Sequence, residues 1–327
     1  MTPALAAAGP HVSVLPLLAD GSLRFEVEPP LLPLVQRWLP LLPYAETPAS
    51  PHGAVVRVAS GDPARVQAPA GPPVLRLSAA ELWVDDATAG AVFRCTAGSA
   101  GVGDLATGAF ELNPGPLDAT TERAVAWDLF NMATLAAAVL LGRMHRALVH
   151  AAGIVAPDGR AWLLAGDTHA GKSTTVVNLL SAGWRFVSDD NLVLFRGADG
   201  RMGVEGWPRR FHLDEGWEDG APRHRRGEVH PHERWPGQWL RSAPLAGLVF
   251  PRIAADRPTE LSPLAASEGL GGLLRQSPWL LADRASAPEI LASLRAACEL
   301  PSYSLRLGLD SYRDTDRLLE VLAPLWR

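Results

Sequence analysis

Hydrophobic and polar positions follow two textures along this chain. Over residues 1–117, short apolar runs at 12–18, 23–27, 55–58, 74–77 and 91–95 alternate with Pro, Gly and Asp turns. That pattern predicts a small β-rich or α+β unit. The stretch 31–42 (LLPLVQRWLPLL) is apolar but interrupted by prolines, and reads as a short packed helix. From about residue 120 to 148, Trp127, Leu129, Met132, Leu135 and Leu140 predict a long amphipathic helix whose apolar side is core. Its most apolar part, 132–142, is about 11 residues and ends at Arg143, too short to span a bilayer.

After residue 148, strands and helices alternate. Residues 148–155 form a nearly continuous apolar run, Pro157-Asp158-Gly159 favours a tight reversal, and 161–165 is a second apolar run. Together they predict a β-hairpin in which Val155 faces Arg160 or Ala161, and His150 faces Ala165 or Gly166. Residues 173–180 read as a helix closed by Gly183, followed by a short strand at 184–188. Further helices are expected near 262–275, 288–300 and 313–325. At roughly 150 residues per domain, 327 residues make about two. The expected division is a β-rich N-terminal domain (1–117), a connecting helix (118–147) and an α/β domain (148–327).

The chemistry concentrates in that last part. Gly166-Asp167-Thr168-His169-Ala170-Gly171-Lys172-Ser173 is a complete G-x-x-x-x-G-K-[ST] phosphate loop, with a strand before it and a helix after it. Its backbone N–H groups and those of Thr174 would form a nest for a polyphosphate. Lys172 would reach the β- and γ-phosphates and Ser173 would sit on Mg²⁺. Asp189-Asp190 follow at the end of the short strand, at the sheet edge where α/β ligands bind. One carboxylate suffices for Mg²⁺ and the second suggests a base for an incoming hydroxyl; the bland alternative is that Asp190 caps a turn with Asn191.

These pieces resemble the HPr kinase/phosphorylase family and the HprK-like kinases of the phosphoenolpyruvate carboxykinase superfamily. The family pattern is a hairpin histidine, a GDSGxGKS-type loop and an Asp-Asp pair one helix later; His150, Gly166–Ser173 and Asp189-Asp190 match it. Residues 206–213 and 300–305 look like later strands of the same branch, so the resemblance covers about 145–327. It departs at His169, where the family has glycine, and no long glycine-rich signature of true HPr kinases is present. The resemblance implies a P-loop kinase domain of HPr kinase/PEP carboxykinase type, using ATP and Mg²⁺. Its acceptor would be a serine or threonine hydroxyl of a peptide or protein other than HPr, and it implies a homo-oligomer. Asp189 would be the base with His150 supporting it, and Asp190 with Ser173 would hold the metal, although the two aspartates can exchange roles. A nucleotide-binding regulatory NTPase and a small-molecule alcohol kinase remain as alternatives.

Composition adds limits. A net charge of −5 argues against nucleic acid as a partner. Cys95 and Cys298 are the only cysteines, which fits a reducing cytoplasm, and no Lys or Arg precedes Arg24, so no signal peptide is expected. With no spanning segment, no membrane partner is expected either. Residues 209–234 are basic and histidine-rich. Arg209 and Arg210 are candidates for holding a phosphate or an acidic peptide, against the plainer reading of a solvated loop. His230-Pro231-His232 lacks a suitably spaced third metal ligand.

Overall fold

A computed structural model describes residues 13–16, 18, 20–37, 53–206, 210–214, 226–312 and 314–326. The chain divides into two compact units: Met1–His145 with Trp279–Glu289, and Arg146–Pro278 with Ile290–Arg327.

Among the described residues, the first unit carries eight strands: β1 (Ser13–Pro16), β2 (Leu23–Val27), β3 (Ala54–Val58), β4 (Leu75–Leu77), β5 (Ala80–Asp85), β6 (Gly90–Cys95), β7 (Ala100–Asp104) and β8 (Ala109–Asn113). They form one sheet in the order β1-β2-β3-β8-β7-β6-β5-β4. Strand β3 lies parallel to both β2 and β8, and the rest is an antiparallel meander. The short helix α1 (Leu32–Gln36) falls within the proline-interrupted stretch; residues 38–42 of that stretch lie outside the described residues. The long helix α2 (Glu122–Arg143) belongs to this unit and packs on the sheet.

Helix α2 corrects the amphipathic expectation. Almost every residue from Val125 to Gly142 is buried, so the helix is enclosed on all sides and not along one stripe. It is long and apolar enough to cross a membrane by composition, yet 89% of its apolar window lies inside the molecule. At its end, Arg143 donates two hydrogen bonds (2.8 and 3.1 Å) to the buried carboxylate of Asp283, tying the 279–289 segment to α2.

The second unit contains β9 (Ala147–Val155), β10 (Ala161–Ala165), α3 (Lys172–Ser181), β11 (Arg185–Ser188), β12 (Asn191–Arg196), β13 (Met202–Gly206), β14 (Phe211–Asp214), β15 (Arg226–Val229) and α4 (Pro231–Arg234). It continues with β16 (Ser242–Ile253), β17 (Glu260–Pro263), α5 (Ala266–Arg275), α6 (Ala287–Cys298, shared with the first unit), β18 (Ser302–Leu307), α7 (Leu309–Tyr312) and α8 (Thr315–Leu322). The expected helix at 262–275 begins later than its pattern suggests, because Ser262 and Pro263 finish β17.

Among the described residues, strands β9 and β16 organise this unit's eight-stranded sheet, ordered β10-β9-β12-β13-β16-β18-β17 with β11 beside β9, and bring it back on itself where β10 also pairs β16. Their inner halves pair with β10, while β9 also pairs β11 and β12, and β16 pairs β13 and β18. The hairpin register sets Ala161 opposite Val155 and Ala165 opposite Ala151, which carries His150 to the level of Gly166. Strands β10, β16 and β18 are parallel neighbours, so their carboxyl ends share the edge from which the loop 166–171 springs. Below them, Ile154, Trp162, Val176, Leu180, Phe186 and Val249 form part of one continuous core that clamps α3 to the strands.

Candidate functional site

The loop begins directly after β10 and ends in the first turn of α3. Gly171 has φ 98°, the left-handed backbone that lets the chain turn into the helix, and a Cβ there would lie 2.6 Å from Leu307. Gly166 permits a close approach: its Cβ would stand 3.2 Å from the Pro251 carbonyl. His169 also adopts positive φ, 67°, at the position where the resembling family has glycine. The fold thus keeps the glycine-type backbone and fills it with histidine, one of the side chains enriched there.

Asp167, Thr168 and His169 are exposed, while Ala170, Ser173 and Thr174 are half-buried. Lys172 is buried and folded back, its Nζ donating to the carbonyls of Gly166 (2.6 Å) and Asp167 (3.2 Å). A mostly apolar cavity flanks the loop, lined by Gly171, Thr174, Asn178, Ile253, Leu307 and Tyr312 among others.

The two aspartates occupy the turn between β11 and β12. The Ser188 hydroxyl accepts long hydrogen bonds (3.4 Å each) from the N–H groups of Asp190 and Asn191. Asp189 is buried, and Asp190 is about a quarter exposed. Because β9 pairs with β12 so that His150 faces Asn191, the imidazole reaches the second aspartate: His150 Nε2 lies 2.6 Å from Asp190 Oδ1. His150 thus meets Asp190, the aspartate the sequence reading gave to the metal while allowing the pair to exchange roles.

One residue of the site carries no sequence signal. Gln276 caps the C-terminus of α5 and is buried. Its backbone carbonyl accepts the His150 N–H (2.8 Å), and its side-chain Oε1 faces His150 Nδ1 at 3.1 Å. Its Nε2 donates to Asp167 Oδ1 at 2.9 Å. A hydrogen-bonded path Asp167–Gln276–His150–Asp190 thus joins the phosphate loop to the carboxylate turn.

Outside this path, Arg210 pairs with Glu228 (2.5 Å) across the β14–β15 hairpin, while Arg209 and residues 215–225 of the basic stretch lie outside the described residues. Among the described residues, no group of three or more His, Cys, Asp or Glu is placed to hold a metal by itself. Hydroxyl and carboxylate oxygens such as those of Ser173 and the two aspartates are nevertheless of the kind Mg²⁺ takes, a hard cation that needs one or two protein oxygens when a nucleotide supplies the others.

No protein-family model matches the chain, and none of the curated proteins does. Among solved structures, the Hpr(Ser) kinase/phosphatase from Coxiella burnetii is similar over 54% of this chain and 96% of its own, with 10% identity and a TM-score of 0.33. That likeness is a distant structural relationship.

Proposed function

We propose that the second unit is an ATP-dependent phosphotransferase acting on a serine or threonine hydroxyl of a peptide or protein, in the cytoplasm and as a homo-oligomer. The observation that carries this reading is the hydrogen-bonded path from the loop to the Asp190–His150 pair, which supports a triphosphate held by the loop beside an acid–base group. Lys172 would leave the loop carbonyls for the β- and γ-phosphates, and the loop N–H groups from Asp167 to Thr174 would hold the remaining charge. The apolar cavity beside Gly171 and Thr174 offers room for the nucleoside. Ser173 and Asp189 would hold Mg²⁺, which when bound would supply neutralisation of the polyphosphate charge.

The geometry favours exchanging the roles of the aspartates. Asp190 is the more exposed of the two and is oriented by His150, so it would accept the acceptor hydroxyl's proton. The acceptor oxygen then forms a bond to the γ-phosphorus as the bond from that phosphorus to the β–γ bridging oxygen breaks, and ADP departs.

The test is incubation with γ-labelled ATP and an array of serine- and threonine-containing peptides. Label should appear on hydroxyls, and Asp190→Asn should lower transfer by roughly 100-fold or more with little change in ATP affinity. Asp189→Asn should raise the Mg²⁺ requirement. If Asp189→Asn alone abolishes transfer while Asp190→Asn stays near wild type, the roles revert. ATP turnover with no labelled acceptor would favour a regulatory NTPase.

A further inference from the structure

We propose that Gln276 is a positioning residue that couples the phosphate loop to the acid–base pair, so that occupancy of the loop is felt at His150. This rests on the phosphotransferase reading and adds to it a residue that touches neither phosphate nor acceptor.

The argument begins with donors and acceptors. An ionised Asp167 only accepts hydrogen bonds, so the Gln276 group facing it must be the NH₂. The other end of the amide is then the carbonyl, which only accepts, so His150 Nδ1 must carry a proton to donate to it. With Nδ1 fixed as the donor, the ring presents Nε2 to Asp190 at 2.6 Å. One amide thereby selects the state of one imidazole nitrogen, orients the ring towards the carboxylate, and restrains the loop's second residue.

Gln276 is suited to that task by its own rigidity. It is buried, its N–H bonds the Leu273 carbonyl (3.0 Å), and its carbonyl receives the His150 N–H, so backbone and side chain grip the same histidine. Helix α5 delivers it there by lying close on the sheet: Gly272 packs where a Cβ would be 2.3 Å from the Phe250 ring. A residue held this firmly transmits displacement. When phosphates draw Asp167 to a new position, the amide must follow or release it, and either changes the hydrogen bond at Nδ1.

The experiment uses the full chain with ¹⁵N-labelled histidine, and reads both His150 ring nitrogens by NMR before and after addition of Mg²⁺ and the non-hydrolysable analogue AMP-PNP. Without nucleotide, Gln276→Leu should expose Nδ1–H to solvent exchange and shift the His150 signals, whereas Gln276→Glu, which keeps the acceptor and the size, should retain the Nδ1–H signal. With AMP-PNP, the wild-type His150 signals should move. In Gln276→Glu, which has lost its donor to Asp167, they should not. His150 signals unchanged by Gln276→Leu, or a wild-type response to AMP-PNP in Gln276→Glu, would overturn the proposal. If AMP-PNP shifts no resonance anywhere in the wild type, the nucleotide reading fails and with it the coupling, while the nucleotide-free comparison still decides whether Gln276 holds the imidazole.

Discussion

His169 stands at φ 67°, a backbone that an L-residue adopts at a cost of about 1–2 kcal/mol. A β-branched residue tolerates it least. His169→Val should therefore lower the melting temperature by several degrees, and His169→Gly should leave it unchanged or raise it. Equal losses in both would mean that the histidine side chain, and not the backbone, matters here. Asp128 gives a second residue-scale test. It lies in α2 with 1% exposure, and burial raises its pKa above 3.8 despite hydrogen bonds from Ser99 and Ala97. A carboxyl whose folded pKa is raised keeps its proton longer in the native state, so stability falls as pH rises from about 4 through the folded value. Asp128→Asn removes that penalty. Its stability advantage in urea unfolding should be larger at about pH 8 than at about pH 4, and an advantage independent of pH would refute the assignment. The strand–loop–helix placement of residues 161–181, the hairpin that carries His150 and the Asp pair at a strand end were legible in the sequence because each lies in a short local pattern. Gln276 was not: it lies 126 residues from His150, at a helix end with no periodic or compositional mark.

At the level of elements, α5 shows how packing decides what propensity leaves open. Ala is the better helix former than Gly by about 1 kcal/mol, and at Gly271 an added Cβ meets only the end of Arg275, at 3.9 Å. Gly271→Ala should accordingly stabilise. Gly272→Ala should destabilise by about 1–3 kcal/mol, because its methyl would collide with Phe250. Thermal melts of the two variants should move in opposite directions, and a shared gain would show that α5 is not seated on the strand as described. The same physics explains which strands the hydrophobic pattern missed. β7 contains Gly101 and Gly103, poor strand formers on propensity, yet a Cβ at Gly103 would lie 2.2 Å from the Phe110 ring of β8. The hairpin of β9 and β10, with unbroken apolar runs around Pro157-Asp158-Gly159, was read in its correct register. Helix α2 was recognised as an element, but its burial on all sides depends on long-range partners that no heptad pattern reports.

Over the whole molecule, the chain divides into two compact units. The helix expected to connect them belongs to the first, and residues 279–289 return to it from late in the chain. A truncation near Thr120 would strip α2 of the sheet it packs on, so the contribution of the first unit must be tested in the full chain. Among the described residues, β1 and β4 are the terminal strands of that unit's sheet. All of this is secondary to whether the loop takes a nucleotide. Calorimetric titration of MgATP into the wild type and into Lys172→Ala answers that most directly. Wild-type protein should bind, and the variant should lose at least about tenfold in affinity, the equivalent of one charge-assisted contact, with its melting curve intact. No binding to the wild type, or equal affinity in both proteins, would contradict the account.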